Sequence, residues 1–170
     1  PVTFTYTSAV DFNGTDSFVA QVSDGLLDDN ITVNVTVLNV NDAPVIIQGA
    51  GPLSVSMIED DNASWVAPEL NATDVDTAVA ALTWSVNANP SNGVASVSGS
   101  GAIPTTFTYA PNPDFNGSDS FVVEVSDGAL SDLITIDVTV NSVNDAPIIN
   151  DGNATLALSA TEDTSTSFTL

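Results

Sequence analysis

Residues 131–141 read Ser-Asp-Leu-Ile-Thr-Ile-Asp-Val-Thr-Val-Asn, and their alternation decides the fold class. Ile134, Ile136, Val138 and Val140 fall on one side of the chain, and Thr135, Asp137 and Thr139 on the other. Successive side chains of a strand point to opposite faces, so period two marks a strand with one buried and one solvated face. Residues 31–37 carry the same pattern, with Ile31, Val33, Val35 and Val37 set against Thr32, Asn34 and Thr36. Phe121, Val123 and Val125 likewise alternate with Val122 and Glu124. The abundance of Val, Thr, Ser and Ile supports strand, and no window shows helical periodicity. Strands are expected at 53–58, 65–72, 81–87, 94–98, 104–109, 119–126 and 131–141. Turn chemistry divides them at Asn92-Gly93, Pro111-Asn-Pro-Asp, Ser126-Asp-Gly and Asn144-Asp-Ala-Pro. Short strands with a turn every ~8–12 residues predict an all-β protein built of Greek-key, immunoglobulin-like β-sandwiches.

The pattern recurs with a period of 103 residues. Asp11-Phe-Asn-Gly returns as Asp114-Phe-Asn-Gly, Asn41-Asp-Ala-Pro as Asn144-Asp-Ala-Pro, and Glu59-Asp as Glu162-Asp. Residues 1–67 lie on 104–170 without a gap, and about half the positions are identical. Spacing of this kind predicts modules in a linear tandem array. The unit that closes naturally runs from one Asp-Ala-Pro to the next, over residues 45–147. Residues 1–44 then read as the C-terminal part of one repeat and 148–170 as the N-terminal part of another. The chain is therefore expected to be a segment of a longer array. Tyr109, Phe121, Trp84 and Trp65 are the expected core anchors, and their repeat equivalents Tyr6, Phe18 and Phe168 keep aromatic character.

The 170 residues carry 22 carboxylates and no Lys, Arg, His or Cys, for a net charge of −22. Nothing is present to neutralise phosphates, which excludes nucleic-acid partners and docking on anionic membranes. Without His or Cys there is no Ser-His-Asp or Cys-His system and no ordinary zinc site. Without Lys there is no Schiff base. A hydrophobic content of 43% separates the chain from disordered acidic tails. No apolar run is long enough to insert in a membrane. Paired carboxylates can hydrolyse glycosides, but a proton-donating acid needs an apolar pocket, and these aspartates lie in polar turns. The chain reads as non-enzymatic.

Aspartates at turns have two explanations: they hydrogen-bond their own backbone, or several converge on a hard cation. Calcium takes six to eight oxygens and needs neither His nor Cys. Like charges without internal partners repel, and divalent ions relieve that repulsion where it is densest. For any single aspartate the turn reading suffices; for the set, calcium is the expected cofactor.

Four motifs in order give the chain a family resemblance. Asp114-Phe-Asn-Gly-Ser-Asp-Ser-Phe-Val-Val-Glu-Val-Ser-Asp-Gly, a second apolar strand and Val143-Asn-Asp-Ala-Pro together resemble the end of a cadherin repeat. Asp74-Val-Asp76, followed by Leu82-Thr-Trp-Ser-Val, is similar to the family's DxD segment and next strand. Glu59 falls where cadherins place an early calcium-binding glutamate. The resemblance is closest to the cadherin-like tandem repeats of very large prokaryotic surface proteins and adhesins. It implies calcium at junctions between modules. At the first junction it implies Asp11 and Asn13, the linker residues Asn41 and Asp42, and Asp74, Asp76 and Asp127 as ligands. At the second it implies Glu59, Asp114, Asn116, Asn144 and Asp145. Asp24 would face an earlier junction. The family's linker reads DxNDN, whereas here it is Asn39-Val-Asn-Asp and Ser142-Val-Asn-Asp, and Asn13 and Asn116 replace a glutamate. Fewer charged ligands imply fewer or weaker ions than in cadherins.

The resemblance implies a structural segment of an extracellular, cell-surface filament or adhesin stalk. Its partners would be neighbouring repeats of the same chain, and identical chains or surface glycans. Two alternatives stand beside it: a carbohydrate-binding module using Trp65 or Trp84 as a stacking platform, and a subunit of a non-covalent homopolymeric filament. An exposed flat tryptophan beside the acidic cluster favours sugar binding; a buried one favours the spacer. Of seven Asn-x-Ser/Thr sequons, Asn13 and Asn116 are read as metal ligands, and Asn30, Asn34, Asn62, Asn71 and Asn153 add a glycoprotein reading, with Asn34 the best acceptor.

Overall fold

The computed structural model describes residues 3–62, 65–147, 159–165 and 167. Two long strands, β1 (Gly14–Ser23) and β2 (Asp28–Val37), form an antiparallel hairpin. After the 38–44 segment come β3 (Val45–Ile46), β4 (Leu53–Ile58), β5 (Ala72–Thr73), a 3-10 turn at Val79–Ala81, and β6 (Thr83–Ala88). The chain continues through β7 (Gly93–Ser100), β8 (Thr106–Pro111), β9 (Gly117–Ser126) and β10 (Ser131–Asn141). The all-β architecture expected from the alternating pattern is what forms.

One six-stranded sheet runs β4-β10-β9-β6-β7-β8, with β4 parallel to β10 and the other pairs antiparallel. β6 and β7 pair only through Thr83↔Ser100 and Trp84↔Gly99, so the sheet folds over at that corner. Gly99 is required there: its φ is +122°, and a Cβ would collide with Thr105. The fold-over lays β8 against β9, stacking Tyr109 on Phe121 at 5.9 Å and setting Phe107 edge-on to Phe121 at 6.2 Å. The alternating residues of β10 drive the packing: Ile134, Ile136, Val138 and Val140 are all at most 2% exposed. Trp84 is buried and donates from Nε1 to the Gly101 carbonyl at 2.9 Å, which satisfies its polar edge.

The strand expected at 65–72 forms only at Ala72–Thr73. Pro68 has no N–H to offer a ladder and biases its neighbour's backbone. Trp65 instead turns inward, half-buried, with Nε1 donating to the Phe107 carbonyl at 3.1 Å and its ring packed on Phe107 and Tyr109. The two-residue strand β3 was not among the expected elements, being too short to show alternation. Phe168, the repeat partner of Trp65, lies outside the described residues.

The hairpin β1–β2 repeats β9–β10 in register: Gly14 pairs with Val37 as Gly117 pairs with Val140. Phe4 and Phe18 lie 6.2 Å apart, as Phe107 and Phe121 do. What differs is the cover. Val125 and Ile134 are 0% and 1% exposed, whereas their equivalents Val22 and Ile31 are 69% and 63% exposed.

One buried carboxylate is structural rather than a candidate ligand. Asp119 accepts from the backbone N–H groups of Ser91, Asn92 and Ser120 and from the Tyr109 hydroxyl, at 2.9–3.0 Å. Burial raises its pKa, but these hydrogen bonds outweigh burial and hold it below the ordinary carboxylate range. Burial, then the hydrogen bond to Asp119 and its charge, push the Tyr109 phenol well above its ordinary value. The lowered Asp119 pKa stabilises the fold at pH above its unfolded value of ~3.9, and that contribution is lost as pH falls through the folded value. The raised Tyr109 pKa works in the opposite direction: its contribution holds below an ordinary phenol's ~10 and is lost as pH rises through the folded value. Urea unfolding is expected to show Tyr109→Phe costing ~1–2 kcal/mol and Asp119→Asn ~2–4 kcal/mol at neutral pH. The Asp119→Asn deficit should shrink below pH ~4; a deficit unchanged at low pH would assign the loss to packing instead.

Candidate metal centres

Two acidic clusters lie at opposite ends of the 45–147 unit. The first is built around the 38–42 segment. Asp11, Asn13, Asn39, Asp42 and Asp76 line one cleft of about 300 Å³. Asp11 sits at φ +58°, a left-handed conformation that aspartate tolerates better than most side chains. Asp74 and Asp76 follow β5 in a tight Asx turn, in which Asp74 Oδ1 accepts the N–H of Asp76 at 3.0 Å and of Thr77 at 2.8 Å. The turn leaves Asp74 Oδ2 and Asp76 Oδ1 buried with no hydrogen-bond partner. An unsatisfied buried oxygen costs ~1–3 kcal/mol, more when charged, so the pair is a place where a cation gains. Asp76 Oδ2 is occupied by Asn39 Nδ2 at 2.8 Å and, more distantly, by the Asp42 N–H at 3.4 Å. The Asn39 amide is the main cause holding the Asp76 pKa below the carboxylate range.

Asp127 joins from the β9–β10 turn. Its Oδ1 accepts the N–H groups of Leu130 and Ala129, which chiefly depress its pKa, and its Oδ2 accepts from Asn41 Nδ2 at 2.7 Å. Asp24, in the equivalent turn of the hairpin, accepts from Leu27 and Leu26 in the same way and is depressed for the same reason. It stands at the far end of β1–β2 from Asp11.

At the second cluster, Asp60, Asp114 and Asp145 each bring a carboxylate oxygen within 4.8 Å of the others. Oxygens on opposite sides of one calcium stand ~5 Å apart, so this spacing suits one ion. Asp60 and Asp114 both adopt left-handed backbone, at φ +60° and +57°. Beneath them Glu59 is 2% exposed, accepting the Val143 N–H and Asn116 Nδ2. Burial, and then the charges of Asp60, Asp114 and Glu59, raise the Asp145 pKa. Asn144 Nδ2 donates to the Asp145 carbonyl at 3.2 Å, as Asn41 Nδ2 does to Asp42 at 3.1 Å. The donors are all oxygens, hard ligands that fit calcium and not a thiolate-seeking metal.

Asp60 was not among the ligands expected from sequence, although the Glu59-Asp60 pair returns as Glu162-Asp163, and Asp163 has the same backbone, φ +59°. From sequence, Asn39 stands out only as a departure from the family's linker pattern. Of the sequons, Asn13, Asn30, Asn34, Asn62, Asn71 and Asn116 are exposed, and Asn153 lies outside the described residues. Among the described residues neither tryptophan offers a flat exposed face beside an acidic cluster.

A family model for the bacterial cadherin-like domain matches residues 41–142. The chain belongs to the bacterial cadherin-like domain family. Cadherin-like domains are extracellular, generally bind calcium and are typically non-enzymatic, and they point to an adhesive or structural role. This cadherin-like chain is 30% identical over 159 residues to Integrin beta-like protein E of Dictyostelium discoideum, covering 84% of the chain but only 8% of that protein's length. Among solved structures it resembles the extracellular cadherin domains 1–5 of Protocadherin Gamma B2, with a TM-score of 0.51 and 19% identity over 78% of this chain and 27% of that one. That likeness speaks to fold. An endo-fucoidan hydrolase of glycoside hydrolase family 107 aligns over 86% of this chain and 21% of its own, at 20% identity and a TM-score of 0.45. No helix among the described residues is long and apolar enough to cross a membrane.

Replacing Asp60 with Asn removes one of the three charges that face each other. Calcium titration is expected to show affinity at this site falling about tenfold or more, while the calcium-free melting temperature rises. A lower calcium-free melting temperature would mean that Asp60 stabilises the fold by other contacts.

Proposed function

We propose that this cadherin-like chain is a non-enzymatic structural segment of an extracellular filament or adhesin stalk, made of tandem modules whose joints are stiffened by calcium. The observation that carries the reading is the pair of buried, unpartnered oxygens on Asp74 and Asp76. They lie where the hairpin, the 38–42 segment and the top of the complete unit converge. Asp11, Asn13, Asn41, Asp42 and Asp127 supply the remaining oxygens of that joint. At the other end Asp60, Asp114 and Asp145 form the inner half of a second site, with Glu59, Asn116 and Asn144 shaping it.

On this reading residues 1–44 end one module, 45–147 make a complete one, and 148–170 begin a third. The repeated register of β1–β2 and its uncovered apolar face support that division. A polyanion of this density keeps its surface well solvated, and identical chains could approach laterally only through shared cations or glycans. The burial of Trp84 and the inward turn of Trp65 leave the sugar-binding alternative without its platform.

The 103-residue period allows a direct test. Residues 45–103 fused ahead of Pro1 would supply the strands that the hairpin lacks, giving two complete modules and one whole joint. Small-angle scattering of this extended chain should show a longer, stiffer particle in millimolar calcium than in chelator, with strand content unchanged by circular dichroism. In chelator, a protease that cuts at acidic residues should cleave the Asn41-Asp42-Ala43-Pro44 segment faster; trypsin has no site. Identical scattering in both conditions would overturn the proposal.

A further inference from the structure

The 38–42 segment carries a second fastening that uses no metal. Asn39 Nδ2 donates to Asp76 Oδ2 at 2.8 Å, while Asn39 Oδ1 accepts from Asn13 Nδ2 at 2.9 Å. One side chain thereby ties the start of β1 to the turn after β5, through the segment that connects them. We propose that Asn39 is a positioning residue that holds this joint in register when no cation is bound; the inference rests on reading 38–42 as a joint between modules.

The chemistry at position 39 selects an amide. An amide both donates and accepts, which the two contacts demand together. A carboxylate there could accept from Asn13 but would meet Asp76 charge to charge. A serine is too short to span both. Asn41 adds a parallel tie to Asp127, so two linker amides face two carboxylates of the complete unit.

The second linker carries no amide at this position. Its equivalent of Asn39 is Ser142, whose hydroxyl is too short to bridge two partners as the Asn39 amide does. On this proposal the joint at Asn39 keeps partial order without cation, and a joint with Ser142 at that position depends on cation more.

The chain has no cysteine, so in the chain extended by residues 45–103 ahead of Pro1, Thr32→Cys on β2 and Ser85→Cys on β6 of the 45–147 unit accept a spin-label pair without background. Both sites are exposed strand positions on opposite sides of the joint. In chelator the parent pair should give a narrow distance distribution. Asn39→Ser should broaden it, with the ratio of docked to undocked joint falling about threefold to tenfold, as expected for one exposed hydrogen bond to a charged group. Calcium should narrow both. Asn39→Asp should be broad in chelator yet respond to less calcium than the parent. Circular dichroism of each variant checks that the sheet is intact. If Asn39→Ser matches the parent in chelator, the latch is refuted, even where calcium narrows both. If calcium changes none of the three, the calcium reading fails, and the latch is judged on the chelator arm alone.

Discussion

The structure is organised by one constraint: every carboxylate must find a partner, and none of the partners can be a cationic side chain. A chain of net charge −22 has only N–H groups, hydroxyls, amides and solvent to offer, unless ions are brought in. The backbone takes a large share. Asp24 and Asp127 each hold two N–H groups of their own turns, and Asp119 holds three together with a phenol. Linker amides take another share at Asp76 and Asp127. What is left over gathers at the two ends of the complete unit: two buried oxygens after β5 at one end, three mutually close carboxylates at the other. On the proposed reading, the charge that the fold does not satisfy internally marks where an external cation would bind.

This division explains why the same residue type does different work. Asp119 lies on the buried face of β9, meets donors on all sides and serves the core, whereas Asp60, Asp114 and Asp145 meet one another. The repeat makes the contrast visible twice, since the Tyr6–Asp16 pair matches Tyr109–Asp119 at the same 2.9 Å. A bond kept alike in a covered and an uncovered sheet belongs to the local β-architecture, not to the joints.

The fold was legible because its code is local: alternation in 131–141 and turn residues between strands leave little choice of element. The exception, 65–71, is instructive. Its apolar content resembles a strand, but Pro68 and the inward swing of Trp65 exchange ladder hydrogen bonds for aromatic packing, and that preference is set by Phe107 and Tyr109, far along the chain. The family pattern names Asp114 and Asp145, which the fold brings close to each other. It does not name Asp60 or Asn39, because their neighbours are brought close only by folding: Asp60 meets Asp114 and Asp145, and Asn39 meets Asn13 and Asp76. Left-handed backbone at Asp11, Asp60, Asp114 and Asp163 is likewise invisible in composition, although the 103-residue recurrence of those aspartates hints at a shared geometric task.

The central claim is that carboxylate oxygens left unmatched by the fold gather divalent ions where modules adjoin. Crystals grown in millimolar calcium, with anomalous scattering recorded to locate the ions, address it most directly. The account predicts a peak coordinated by Asp74 Oδ2 and Asp76 Oδ1, and another among Asp60, Asp114 and Asp145. Maps with those carboxylates splayed apart and no anomalous density between them would contradict it.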